Sequence, residues 1–119
     1  MILIGIDIET TGLDPNKDEI TEIAWAGFDT SDWGKPIVLK SSICSIMGTV
    51  PKEIAELTNI TTKHCKEYGS DITDVLSELT LDIARFKPDY LVAQNHTFDK
   101  TFLNTACEKQ GYKPFGQAW

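Results

Sequence analysis

The sequence predicts a single α/β domain built on a mixed sheet. Three extended segments come first and are joined by short connections, which is typical of an antiparallel meander. Helical segments follow, and they lead to one further strand and a last helix. A strand reached through a helical crossover is expected to pair in parallel with an earlier strand. At 119 residues, the chain is expected to form one domain over residues 1–119.

The three leading strands are predicted from apolar runs that are separated by turn residues. Residues 2–8 carry apolar side chains on both faces and predict a buried, central strand. Residues 10–16 contain the Thr, Gly, Asp, Pro and Asn typical of a turn. Residues 19–28 and 36–44 predict the second and third strands, and Pro36 is tolerated because it stands at a strand start.

Two short helices are expected next. Pro51 opens the first, at a position that proline favours, and residues 57–61 interrupt it. Thr61 or Thr62 can cap the second, which is expected to end near Gly69.

A longer helix begins at Ser70 or Asp71, and its apolar residues follow helical spacing until Pro88 closes it. Residues 90–93 then predict a short buried strand. A last helix is expected from Phe98 to about Gly111, and the tail from residue 112 to residue 119 is interpreted as irregular.

Composition excludes several classes of protein. The formal net charge is −7, so the chain gains little from attraction to phosphates and should not coat nucleic acid nonspecifically. Its three cysteines are far apart, which indicates a reduced, cytoplasmic location rather than a disulfide framework. The apolar start is short and has no basic region, so no signal peptide is predicted, and no stretch is long enough to cross a membrane.

Two carboxylates, Asp7 and Glu9, end the first predicted strand. Residues at i and i+2 of a strand point to the same face. If both charges were buried without partners, the cost in free energy would be large. A divalent cation held between them would remove that cost, so this pair indicates metal-dependent chemistry.

A third acid, Asp99, follows the short strand over residues 90–93 and falls in the first turn of the next helix. Functional groups in α/β sheets gather at the carboxyl ends of strands. If this strand lies parallel beside the first, Asp99 comes near Asp7 and Glu9. Three carboxylates at one point suit hard cations such as Mg²⁺ or Mn²⁺.

Other polar and aromatic residues have simpler interpretations. Asp99 taken alone is also an ordinary first-turn acid that the helix dipole favours. Asn95, His96 and His64 are interpreted as polar turn or surface residues. The cysteines are interpreted as small core residues, and the three tryptophans are too dispersed to form a platform for stacking bases.

Residues 7–13, Asp-Ile-Glu-Thr-Thr-Gly-Leu, resemble the first motif (D-x-E-T-T-G-L) of the DEDD, or DnaQ-like, 3′–5′ exonucleases. This family has a ribonuclease H-like fold and includes the proofreading subunit of bacterial replicative DNA polymerases. Residues 95–99, Asn-His-Thr-Phe-Asp, resemble its second motif (N-x-x-F-D), and residues 51–61 resemble the segment between the two. The resemblance covers the whole chain.

The resemblance implies a phosphodiesterase that uses two Mg²⁺ or Mn²⁺ ions and acts at nucleic-acid 3′ ends. Asp7, Glu9 and Asp99 would be the catalytic metal ligands. The substrate contacts it implies are Ile8, Thr10, Thr11, Gly12, Leu13, Leu57, Asn95 and Phe98. The expected partners are a single-stranded DNA or RNA 3′ end and a polymerase or completing polypeptide.

The sequence departs from the family pattern in three places. Asn59 stands where relatives have the glycine of Gly-Ile-Thr, and asparagine tolerates the positive φ that such a turn needs. Gln94 occupies a position that is often histidine, with little expected consequence. The third motif, H-x-A-x-x-D or Y-x-x-x-D, supplies a general base and a fourth acid and is absent. The chain is therefore expected to be a partial exonuclease domain without its C-terminal strand and helix.

Two alternatives stay open. One is a non-catalytic interaction module on the same fold, and the other is a different metal-dependent nuclease or integrase-like enzyme of ribonuclease H type. The turn over residues 9–12 favours the exonucleases over the second alternative. Because the strand over residues 90–93 would lack a neighbour, an open sheet edge and self-association are also expected.

Overall fold

The computed structural model describes all 119 residues, which form one sheet flanked by helices. The strands are β1 (Ile2–Thr10), β2 (Ile20–Asp29), β3 (Val38–Ile43) and β4 (Tyr90–Val92). The helices are α1 (Lys52–Thr58), α2 (Thr62–Tyr68), α3 (Ile72–Phe86) and α4 (His96–Lys109). Each strand and helix lies within a few residues of its predicted position.

The sheet has four strands in the order β3-β2-β1-β4. The pairs β1–β2 and β2–β3 are antiparallel, whereas β4 is parallel to β1 through the pairs Leu3–Tyr90, Ile4–Leu91 and Gly5–Val92. The predicted mixed sheet is therefore confirmed. Because β1 and β4 run in the same direction, the residues that follow them emerge at the same edge of the sheet.

One face of the sheet is packed and the other is open. Ile4, Ile6 and Ile8 of β1 are buried, and they share a core with residues of α3 and α4. On the opposite face, the small residues Gly5, Ala24 and Ala26 line a groove of about 720 Å³. The expectation that both faces of the first strand are buried is wrong, because no helix of the structure covers this second face.

A buried carboxylate connects β3 to α3 across the packed face. The Asp82 carboxylate is 2.9 Å from the Lys40 ammonium and accepts a 2.9 Å hydrogen bond from the Trp25 indole. Burial raises the pKa of Asp82, but Lys40 and Trp25 outweigh burial and hold it below its usual value. Lys40 also forms an ion pair with the Glu78 carboxylate, and the Glu78 side chain is half exposed.

Two local features follow from single residues. Asn59 ends α1 with a φ of 61°, in the left-handed region, so the turn survives the replacement of glycine as expected. Helix α4 begins at His96, two residues before the predicted start, and Asn95 is its N-cap. Asp99 remains in the first turn.

The tail after α4 is irregular, as predicted, but it does not leave the edge of β4 free. The Leu91 amide donates a 2.8 Å hydrogen bond to the Ala118 carbonyl. Tyr112, Phe115 and Trp119 pack against the main core. The expectation of an unpaired edge is therefore wrong, because the tail returns beside β4.

None of the helices combines the length and apolar character that spanning a bilayer requires.

Candidate active site

Asp7 and Glu9 lie on the open face of β1. Their side chains point away from the core because they alternate with the buried Ile6, Ile8 and Thr10. Asp7 is exposed and Glu9 is partly buried. The prediction that both charges are buried is wrong, so burial alone does not force a cation between them.

Asp99 is brought to the end of β1 by the parallel pairing of β4. Only residues 93–95 separate β4 from α4, so the first turn of α4 lies near the carboxyl end of the sheet. Because β4 pairs only with Leu3, Ile4 and Gly5, the last residues of β1 have no strand on that side. Asp99 is 5% exposed there, and the backbone amide of Ile8 acts to lower the pKa of its carboxylate.

The parallel pairing of β4 with β1 places these acids in one region, where their like charges repel. Burial raises the pKa of Glu9, and the charges of Asp7, Glu22 and Asp99 raise it further. Burial and the Asp7 charge likewise raise the pKa of Asp99, although the backbone amides of Ile8 and Asp99 act against them. An excess of negative charge with raised pKa values is typical of a functional site.

Glu22 is a fourth acid in this region, and sequence reasoning missed it. It lies directly opposite Glu9 in the antiparallel β1–β2 pair, so both side chains project from the open face. Burial and then the Asp7 charge raise its pKa. The period-two pattern of residues 19–28 was the available signal, but it does not give the register. A register shift beside Glu9 pairs Thr10 with Ile20.

The donor chemistry fits a hard cation. The acids supply only carboxylate oxygens, which Mg²⁺ and Mn²⁺ prefer. The expectation that three carboxylates meet at one point is wrong for this structure, because no group of three His, Cys, Asp or Glu side chains stands around a common point.

The turn after β1 is held by its own threonines. The Thr10 hydroxyl donates a 2.6 Å hydrogen bond to the Gly12 carbonyl. The Thr11 amide donates to the Glu19 carbonyl at 2.9 Å, and the Thr11 hydroxyl accepts from the Glu19 amide at 3.0 Å. Both threonines are buried, so their side chains support the turn, while Leu13 projects from it with 84% of its surface exposed.

Three predicted substrate contacts line a common pocket beside this turn. Leu13, Asn95 and Phe98 surround a volume of about 290 Å³ between the turn and the start of α4. The Phe98 ring lies 4.8 Å from the Phe102 ring, which fixes one wall. The pocket has a mixed lining of apolar side chains, hydroxyl groups and one amide.

Two of the predicted contacts lie elsewhere. The Ile8 side chain points into the core and is 5% exposed, so only its backbone faces the acids. A side-chain contact between Ile8 and substrate is therefore excluded by the alternation of β1. Leu57 is 83% exposed on α1 and does not line the pocket.

A family model described as exonuclease, RNase_T, matches residues 4–117. The chain belongs to this exonuclease family. Among curated relatives, the DNA polymerase III subunit epsilon of Treponema pallidum is 32% identical over 111 residues. The match covers 89% of this chain and 47% of the relative, so the chain spans about half the length of that relative.

Solved structures agree on the fold. A product-bound structure of exonuclease I superposes with a TM-score of 0.82 at 17% identity, covering 99% of this chain and 28% of the other. A zinc-bound complex of Escherichia coli exonuclease I with single-stranded DNA also gives 0.82 at 17% identity, covering 99% and 26%. At this identity the likeness shows that the RNase_T exonuclease fold is shared.

Proposed function

We propose that this domain is a 3′–5′ exonuclease that removes nucleotides from single-stranded nucleic acid. The observation that carries the proposal is the position of Asp7, Glu9 and Asp99 at one edge of the sheet, in a chain of the exonuclease family. The pocket beside Leu13 and Phe98 lies next to this edge and would receive the terminal nucleotide.

The reaction is hydrolysis of the last phosphodiester bond. Water adds its oxygen to the phosphorus, the bond to the 3′ oxygen of the preceding nucleotide breaks, and that oxygen takes up a proton. The products are a nucleoside 5′-monophosphate and a shortened strand. Mg²⁺ or Mn²⁺ ions, held by Asp7, Glu9 and Asp99, would polarise the attacking water and stabilise the leaving oxygen.

The residues of the chain supply position and charge. The turn that carries Gly12 and Leu13 would hold the sugar and base, and Asn95 would orient them from the N-cap of α4. An acidic protein with a net charge of −7 repels phosphates. Substrate binding is therefore expected to require the cations, which neutralise the site.

The two histidines, His64 and His96, are the candidates for a positioned general base. His64 is engaged at the start of α2, where its side chain accepts from the Thr61 amide. His96 is exposed at the start of α4 and is the first candidate. Proton transfer by a positioned base contributes roughly 10²–10⁴-fold to a rate, so the 119-residue chain should turn over slowly.

The finer assignments rest on the relatives. A single-stranded DNA 3′ end is the favoured substrate because exonuclease I was solved with single-stranded DNA. A polymerase is the favoured partner because the Treponema pallidum relative is a DNA polymerase III subunit. The three cysteines are buried as free thiols, which supports a reducing, cytoplasmic compartment.

The test is digestion of a single-stranded oligonucleotide labelled at one end, with Mn²⁺ or Mg²⁺. A 5′-labelled strand should give a ladder of shortened products, whereas a 3′-labelled strand should release labelled mononucleotide first. Asp7→Asn should abolish the activity. Asp74→Asn, at an exposed acid in the first turn of α3, should leave it unchanged. Metal binding without Asp7-dependent hydrolysis at high enzyme concentration would favour the non-catalytic interaction module instead.

A further inference from the structure

Asp18 and Glu19 stand immediately before β2, and their carboxylates have no role in the site described above. Both are partly buried, and neither carboxylate forms a salt bridge. Their four carboxylate oxygens accept hydrogen bonds from two different loops.

The Asp18 carboxylate holds the turn that follows β1. One oxygen accepts from the Asp14 amide at 2.8 Å, and the other lies 3.5 Å from the Thr11 hydroxyl. The Asp18 amide in turn donates to the Asp14 carbonyl at 2.7 Å. Residues 11–14, which include Gly12 and Leu13, are thereby closed into one hydrogen-bonded unit.

Gly12 packs directly against the Asp18 carboxylate. A methyl group at residue 12 would overlap the carboxylate of Asp18. The turn therefore needs glycine at this position for close approach rather than for its backbone angles. Asp18 and Gly12 form a matched pair, in which each one limits what can replace the other.

The Glu19 carboxylate holds a second loop. Its two oxygens accept from the amides of Met47 and Gly48, at 2.7 Å and 2.8 Å. These residues lie in the segment between β3 and α1, the helix that carries Leu57. Since the Glu19 backbone also pairs with Thr11, one residue connects the turn to the segment before α1.

We propose that Asp18 and Glu19 are positioning residues for the terminal nucleotide, and this inference rests on the proposed function. Asp18 fixes the turn that presents Gly12 and Leu13. Glu19 fixes the segment that leads to α1 and joins it to the same turn. Neither residue touches the metals or the substrate.

The physical basis is preorganisation. A carboxylate that accepts backbone amides makes stronger hydrogen bonds than a neutral acceptor. Loops without such restraints must be ordered when the ligand binds, and the entropy lost then reduces affinity. Replacing either Asp18 or Glu19 with alanine should therefore weaken nucleotide binding while leaving the proposed cation ligands on β1 and α4 undisturbed.

The experiment is calorimetric titration of the 119-residue protein, first with Mn²⁺ and then with thymidine 5′-monophosphate at saturating Mn²⁺. Asp18→Ala and Glu19→Ala should each weaken nucleotide binding about tenfold. Affinity for Mn²⁺ should change less than twofold. Asp29→Ala is the matched control, because Asp29 also accepts a backbone amide, from Ser31, at the opposite end of β1 from Glu9.

Conservative variants separate positioning from a loss of fold. Asp18→Asn keeps an oxygen that can accept from Asp14, so its nucleotide affinity should return to within about threefold of the parent. Glu19→Gln keeps one acceptor of two and should lie between the parent and Glu19→Ala. If an alanine variant fails to fold, the nucleotide affinities of Asp18→Asn and Glu19→Gln test the same positioning role.

A double-mutant cycle tests the pairing with Gly12. Gly12→Ala should displace the Asp18 carboxylate and weaken nucleotide binding about tenfold by the same route. Gly12→Ala combined with Asp18→Ala should then also cost about tenfold, whereas independent effects would multiply to about a hundredfold. Gly116→Ala, at a glycine with open space around it, is the control.

The outcomes distinguish the two claims. If the parent protein binds no nucleotide in the presence of Mn²⁺, the substrate site is wrong and the inference fails with it. If the parent binds and the alanine variants bind equally well, the positioning role is overturned and the proposed function stands. A parallel fall in Mn²⁺ affinity, or multiplicative effects in the cycle, would also overturn it.

Discussion

Glu9 and Glu22 face each other across the antiparallel pair β1–β2, with both side chains on the open face of the sheet. Like charges at directly opposite positions destabilise a sheet. Burial raises the pKa of each, and the Asp7 charge raises both further. The folded chain therefore retains a local electrostatic cost, and a bound cation would remove it.

Metal binding should depend on the acids of β1 and α4. Asp7→Asn and Asp99→Asn should each weaken Mn²⁺ binding at least about tenfold, because each removes one anionic ligand. The double variant should show no measurable heat in calorimetric titration. Asp74→Asn removes a first-turn acid from α3 instead of α4 and should bind normally. Unchanged Mn²⁺ affinity in the double variant would place the cation elsewhere.

Removing the charge of Glu22 should stabilise the metal-free protein. A group whose pKa is raised on folding binds its proton more tightly in the folded state, so stability rises as the pH falls through the raised pKa. At pH 7, Glu22→Gln should raise the melting temperature by about 2 °C. The difference should vanish below the ordinary glutamate pKa, where the parent is also neutral. A constant difference across that range would indicate packing rather than charge.

The carboxylate of Asp82 should matter far more than that of Glu78, although both contact Lys40. Asp82→Ala leaves the buried Trp25 indole without its acceptor and should cost about 2–3 kcal/mol in urea unfolding. Glu78→Ala removes a half-exposed ion pair and should cost about 0.5 kcal/mol. Because the pKa of Asp82 is lowered on folding, the penalty of Asp82→Ala should shrink as the pH falls through that pKa. Equal costs for the two variants would contradict this assignment.

The tail should determine how the chain behaves in solution. Removing residues 112–119 frees the Leu91 amide and uncovers the apolar surface under Tyr112, Phe115 and Trp119. We expect a lower melting temperature and, by light scattering, stronger self-association as concentration rises. Gly116→Ala leaves these contacts intact and should behave as the parent does. A shortened chain that melted like the parent would show that the tail contributes no core.

The sequence was sufficient for the order of elements. It also identified three candidate acids, Asp7, Glu9 and Asp99, whose role as metal ligands stays a prediction. Apolar spacing located α3, and its start was predicted at Ser70 or Asp71, of which the structure shows Asp71 as the N-cap. The parallel pairing of β4 was expected because a helical crossover precedes it, and this pairing is what carries Asp99 to Asp7. These features depend on local pattern and on general rules of connection.

The sequence did not predict the strand register, nor which faces and edges of the sheet are covered by other elements. Glu22 was missed because its partner across the sheet depends on a register shift beside Glu9. The burial of Asp7 was wrongly predicted. Leu3 and Gly5 lie on the same face of β1 as Asp7, and their residue types do not indicate whether another element packs on that face. The return of Ala118 to Leu91 is a contact between distant residues and has no local signal.

The parallel pair β1–β4 also orders events during synthesis. Asp7 and Glu9 leave the ribosome well before Asp99, which reaches them only after Tyr90, Leu91 and Val92 have paired with Leu3, Ile4 and Gly5. Contacts between such distant parts of a chain form late and slowly. A nascent chain that ends before residue 90 would carry Asp7, Glu9 and Glu22 but not Asp99, so its acidic centre would be incomplete. The acidic centre is therefore assembled only when β4 and the start of α4 have emerged.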